Sequence, residues 1–201
     1  MMVTTHALVG LLVALPLAVL APDHATTVLA AGVVGGITPD LDVLATHRKT
    51  FHLPIYGTIA AGIALVLALA VPTAATFAVL AFLLAAALHN AGDIVSCGLG
   101  ARPWHNRSER SVYDHYRGRW IPPRRWIRYD GAPEDLALAV GIAVPSLALL
   151  EWHWQLLATL LLGVSVVYTG ARKRLEDIAR WAVRFLPAWA RQYVPERYVT
   201  R

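Results

Sequence analysis

The chain alternates long apolar runs with short polar breaks. A helix that crosses a bilayer needs about 20 apolar residues, within a usual range of about 17–25. Thr4 to Leu20 meets this and is closed by Ala21-Pro22-Asp23-His24. Ala25 to Thr38 is a second, shorter run, read as a tilted or partly inserted helix. Its Gly32-x-x-x-Gly36 spacing lets another backbone approach closely, so these glycines read as helix-packing positions. Pro39 stops the run, because the residue before a proline is pushed out of the α region. Ile55 to Val71 is the third run and ends at Pro72, and Thr73 to Ser96 is the fourth. A polar segment from Gly98 to Pro133 precedes the fifth run, Glu134 to Trp152, and the sixth, Gln155 to Gly170. His153 with Trp152 and Trp154 lies between the last two, where an interfacial belt would place it.

The last segment has a different pattern. On a helical projection Leu175, Ile178, Trp181, Ala182, Phe185, Leu186 and Trp189 share one side, and Lys173, Asp177, Arg180, Arg184 and Arg191 share the other. This predicts an amphipathic helix lying on the membrane, with a break near Pro187. The fold expected is all-α: a polytopic helical membrane protein with about six hydrophobic segments and a C-terminal interfacial helix. Residues 1–170 form the membrane domain, with loop 98–133 inserted, and 171–201 form a basic amphipathic segment.

Composition agrees. Hydrophobic residues make up 57% of the chain and charged residues only 15%, against about 25% in ordinary soluble domains. The first run lacks a positively charged leader and reads as a retained helix rather than a cleaved signal. Cys97 is the one cysteine, which excludes an internal disulfide and reads as a small apolar filler. The formal net charge is +5. In so apolar a chain, that surplus points to anionic headgroups before nucleic acid.

The cations are unevenly placed. Arg48 and Lys49 lie between runs two and three, eight arginines lie between runs four and five, and the other eight Lys and Arg follow run six. The connections between runs one and two, three and four, and five and six hold none. With six crossings, every cation-rich segment falls on one side. The positive-inside rule makes that side cytoplasmic, with both termini inside an integral cell-membrane protein.

The scarce ionisable groups gather on that side. Asp40, Asp42, His47, Arg48, Lys49 and His52 follow run two, and His6 begins run one. His89 and Asp93 are spaced i,i+4 in run four, so they project from one helix face. At 1.5 Å per residue, His89 lies about 22 Å along that run, in the inner part of a hydrocarbon layer about 30 Å thick. Ionisable residues at such depth face a partner or a wet cavity. His24 and His153 fall at the opposite side and read as interfacial.

Imidazoles mixed with carboxylates are the donor set of a divalent metal ion. The mixture suits zinc, iron or manganese, and an oxygen-rich set leans towards manganese or magnesium. Such an ion activates water at neutral pH, and a spare carboxylate accepts a proton. His52, His89 and Asp93 are the foremost ligands, completed by Asp40 or Asp42, with the unligated aspartate, taken as Asp42, as general base. Arg48 is the candidate clamp for a phosphate or carboxylate on the substrate.

His6, Pro39-Asp40-Leu41-Asp42, His47-Arg48 with His52, and His89-x-x-x-Asp93 together resemble the YdjM-like family of membrane-bound metal-dependent hydrolases. The resemblance covers roughly residues 1–130, and Gly98 to Trp104 is similar to the family's glycine and aromatic-proline patch. Where the family often reads His-Arg-Gly-x-Thr-His-Ser, this chain reads His47-Arg48-Lys49-Thr50-Phe51-His52-Leu53. The resemblance implies a hydrolase and a site of His6, Asp40, Asp42, His47, His52, His89 and Asp93. In all, His6, Asp40, His47, His52, His89 and Asp93 are expected to ligate metal, and Asp42 and Arg48 to act in catalysis.

Loop 98–133 interleaves arginines with Trp104, Tyr113, Tyr116, Trp120 and Trp126, which fits an anionic lipid surface better than nucleic acid. His105, Asp114 and His115 are within possible reach of the site. The expected substrate is anionic, lipid-derived or phosphorylated. Two other functions fit the same residues: a proton-coupled transporter relaying through His89 and Asp93, and a non-catalytic adaptor recruiting a partner through the loop.

Overall fold

A computed structural model describes residues 1–194, so residues 195–201 of the basic C-terminal segment lie outside the described residues. Helices occupy all six apolar runs: α1 (Val3–Leu20), α2 (Ala25–Ile37), α3 (Pro54–Ala70), α4 (Ala74–Val95), α5 (Pro133–Leu149) and α6 (Trp152–Ala171). Local chemistry sets their ends. Pro54 and Pro133 start α3 and α5, where a missing N–H leaves no bond unmade. Thr73 caps α4 by accepting from the Thr76 N–H, and Thr76 returns a bond to the Thr73 N–H.

Four helical stretches are long and apolar enough to cross a bilayer: Val3–Leu20, Pro22–Leu44, Ala74–Val95 and Trp152–Val183. The expectation of about six crossings is therefore met for four. α3 and α5 have 17 residues each and fall at the lower limit. The short second run is among the four because 3-10 turns at Pro22–His24 and Thr38–Leu44 extend it at both ends. Large apolar side chains point outward along these helices, among them Ile59, Ile63, Val66 and Leu69 on α3 and Leu160, Val164 and Val167 on α6. Water-soluble monomers rarely expose so continuous an apolar surface, and the four apolar helices mark a membrane protein.

Helix α1 is the centre of the bundle and packs on α2, α4, α5 and α6, while α2 lies between α1 and α4. The α1–α2 approach is a backbone contact made possible by glycine. A Cβ on Gly32 would stand 2.4 Å from the Gly10 carbonyl oxygen, and one on Gly36 would stand 2.3 Å from that of His6. Gly35 makes the matching approach to Phe82 on α4. Gly32→Ala is expected to lower stability by about 1–3 kcal/mol through overpacking, measured as thermal unfolding in detergent.

The 98–133 segment contains a feature its sequence did not announce. β1 (Val112–Asp114) pairs antiparallel with β2 (Arg119–Ile121), in the register Val112↔Ile121. Gly118 takes φ +65° in the turn, a value glycine adopts without strain. The segment is stitched to the end of α4. The backbone N–H groups of Arg124, Arg125 and Trp126 donate to the carbonyls of Ile94, Ser96 and Val95 at 2.8–3.0 Å, satisfying acceptors that a helix end leaves open.

α7 (Leu175–Val183) and α8 (Ala188–Arg191) follow, separated at Pro187, where the predicted break falls. Ile178, Trp181, Phe185 and Trp189 are exposed. Arg102 pairs with Glu176 and Asp177 at 2.5 and 2.8 Å and ties α7 to the start of the long loop.

Candidate metal centre

One turn of α4 separates His89 from Asp93, and both point towards the Thr38–Leu44 turn and the loop after it. Asp40, His52, His89 and Asp93 each bring one donor atom to a common point, all within 4.8 Å of one another. His52 Nε2 is 3.2 Å from Asp93 Oδ2, and His89 Nε2 is 3.6 Å from the same oxygen and 3.5 Å from Asp40 Oδ1. Donors bonded at 2.0–2.2 Å to a tetrahedral ion stand about 3.3–3.6 Å apart. His52, His89 and Asp93 are buried, and Asp40 is partly so.

The far side of each imidazole decides what the near side can do. His89 Nδ1 donates to the Gly36 carbonyl at 2.7 Å, and His52 Nδ1 donates to Asp42 Oδ2 at 2.9 Å. Neither acceptor can donate in return, so both Nδ1 atoms carry the proton. In the neutral imidazole each Nε2 then turns a lone pair towards the carboxylates of Asp40 and Asp93. Four such donors converging in a buried space suit a cation between them. Among the described residues, His89 Nε2 is buried with no partner at hydrogen-bond distance, its nearest oxygens being those of Asp40 and Asp93. The residues present therefore fit a divalent ion.

Asp93 divides its two oxygens. Oδ2 faces the imidazoles, whereas Oδ1 accepts from the Met1 amine at 2.8 Å and lies 3.3 Å from His6 Nε2. Arg48 reaches both, with Nη2 at 3.2 Å from Oδ1 and Nε at 3.1 Å from Oδ2. Its Nη1 donates to the Cys97 carbonyl at 2.6 Å. Burial works against a charged guanidinium, but Asp93 beside it outweighs that and raises Arg48 above its ordinary value. Arg48 is thus committed to Asp93 and Cys97 rather than standing free as the expected substrate clamp.

Asp42 also departs from expectation. It is fully buried and accepts from His47 Nδ1 and His52 Nδ1, both at 2.9 Å, and from the backbone N–H groups of Arg48, Lys49 and Phe51 at 3.1–3.3 Å. A carboxylate with five donors has no open lone pair for a general base. It orients two histidines instead. Arg48 takes φ +59°, which curls the turn so that these N–H groups converge.

His6 and His47 stand beside the four-residue group rather than within it. His6 stacks on His89 with ring centres 3.6 Å apart, and its buried Nδ1 has no partner. His47 is pinned through Nδ1 to Asp42 and is partly exposed. His115 Nε2 bonds the Lys49 carbonyl at 2.6 Å, Asp114 pairs with Arg117, and His105 is exposed. None of those three joins the cluster. The same loop supports the cluster through other residues: the Tyr113 N–H donates to the Arg48 carbonyl at 2.9 Å, and Ser111 Oγ donates to the Asp93 carbonyl at 2.7 Å.

A cavity of about 460 Å³ adjoins the centre. Asp40, His47 and Arg48 form one polar edge, and Asp130, Tyr168 and Arg172 contribute another, where Arg172 pairs with Asp130 at 2.8 Å and the Tyr168 hydroxyl donates to Asp130. The sequence singled out neither that second group nor the Gly36 carbonyl. For Gly36, the Gly32-x-x-x-Gly36 spacing was the available signal. Tyr168 and Arg172 are four residues apart at the end of α6, but Asp130 lies in the loop before α5, and no spacing links it to them. No protein-family model, curated protein or solved structure matches this chain.

Proposed function

We propose that this chain is a membrane-bound metal-dependent hydrolase of the YdjM-like kind, with its centre at the cytoplasmic surface, acting on an anionic lipid-derived or phosphorylated substrate. The observation that carries the reading is the pair of Nδ1-anchored histidines whose Nε2 lone pairs meet Asp40 and Asp93 in a buried space. His52, His89, Asp93 and Asp40 would hold the ion. When bound, a divalent ion supplies Lewis-acid activation of water at neutral pH.

The surrounding residues have distinct tasks. Asp42 fixes the tautomer of His52 and raises its basicity, the usual work of a carboxylate behind a metal ligand. The same carboxylate holds His47, which lines the cavity, so His47 would take the proton from water and return it to the leaving group. Arg48 balances the charge of Asp93 at the cavity wall.

Six crossings with both termini cytoplasmic remain the preferred topology. It is supported by the one-sided cations and by the lengths of α3 and α5, each at the 17-residue limit. Loop 98–133 and α7 would then meet anionic headgroups, with Trp181 and Phe185 dipping into the interface.

The test is metal analysis of protein purified without chelators, together with hydrolysis of a lipid phosphate monoester. One bound divalent ion per chain and chelator-sensitive release of phosphate are expected. Protein free of metal would remove the basis of the reading. Asp42→Asn is expected to weaken metal affinity by about 10–100-fold, measured by competition with a chromogenic chelator.

A further inference from the structure

We infer that the 460 Å³ cavity beside the metal centre is a chain-binding groove, through which a bilayer lipid carrying a phosphoryl head enters sideways between the Thr38–Leu44 turn and α6. This rests on the hydrolase reading above and names the form its substrate takes. The volume lies in the range of small-molecule sites, about 300–1,000 Å³. Its lining changes character along the groove. It is polar beside Asp40, His47 and Arg48 and again at the paired Asp130, Tyr168 and Arg172, whereas Val3, Ile37, Leu41, Val43 and Val164 give apolar walls between. An amphiphile matches that division, with its reacting head at the centre and its hydrocarbon chain along the apolar part.

The access route follows from helix packing. Helix α6 rests mainly on α1 and α5, and α2 rests mainly on α1 and α4, so the two face each other across α1, whose first turn contributes Val3 and Thr4 to the lining. Both belong to stretches long and apolar enough to cross a bilayer. Leu41, Val43 and Val164 are 51%, 66% and 56% exposed while also lining the cavity. They would be in contact with lipid and groove at once. A water-soluble phosphate ester would gain nothing from such walls, whereas a chain already in the bilayer moves from one apolar surface to another. The phosphoryl head is favoured because an oxygen-rich anion suits a hard divalent ion.

The experiment uses the full chain in phosphatidylcholine nanodiscs and a single-chain phosphate monoester bearing a diazirine at mid-chain. Label is expected on Leu41, Val43 and Val164, competed by an unlabelled long-chain phosphate monoester and not by inorganic phosphate. Val43→Trp and Val164→Trp, both at exposed positions that tolerate bulk, should each cut that label by about tenfold, a change of about 1.4 kcal/mol, with bound metal unchanged. Label spread evenly over the exposed residues of α3, or surviving both substitutions, would overturn the groove, since it would report ordinary boundary lipid. Displacement by inorganic phosphate alone would overturn recognition of the chain. Focused label on metal-free protein would support the groove while removing the hydrolase reading.

Discussion

Replacing His89 and Asp93 together by alanine should strip the bound ion and lower hydrolysis by more than about a hundredfold. Loss of a single supporting residue around a metal already costs about 10–100-fold, and this variant deletes two direct donors from a set of four. The substitution also leaves Arg48 buried without its carboxylate, and an orphaned buried charge costs about 3–5 kcal/mol. His89→Ala alone separates the two effects. It spares the Arg48–Asp93 pair, so its unfolding temperature should fall less than that of the double variant while metal content falls as far. Metal retained at full stoichiometry in a folded double variant would mean that the ion sits elsewhere.

His47→Gln should behave in the opposite way. The ion stays and turnover falls by about 10²–10⁴-fold, the usual contribution of a positioned acid–base group. Glutamine keeps the size and can still donate to Asp42, so His52 keeps its orientation, but it cannot exchange a proton. Metal content by mass spectrometry, measured beside turnover, distinguishes this role from the ligand role expected from sequence. Parallel loss of both would return His47 to the ligand set.

Most of the bundle was legible because apolar runs of near-constant length leave few alternatives. Each run from Thr4 to Gly170 became a helix within a few residues. The crossing number was less legible, since helices such as α3, at 17 residues, sit on the boundary between spanning and buried. The candidate ligands His89 and Asp93 stood out because ionisable groups in an apolar helix are costly. The partition of labour between Asp40 and Asp42 could not be read. Both follow Pro39, and only the left-handed turn at Arg48 gathers five donors around Asp42 and leaves Asp40 on the cavity. The hairpin escaped notice for a different reason. Its strands are three residues each, too short to show alternation, and the pairing of Tyr113 with Trp120 is a contact across a turn rather than a periodicity.

The stitching of residues 111–126 onto the end of α4 and onto the Arg48 turn has a consequence for biogenesis. All four candidate metal-binding side chains precede residue 94, yet the braces that hold their backbone follow Asp93 by up to 33 positions. A ribosome-bound nascent chain halted near residue 105 would thread its early helices into the bilayer while the cage remained slack. Metal loading would thus come late in translation, after the hairpin emerges, and the hairpin would act as the latch that times it.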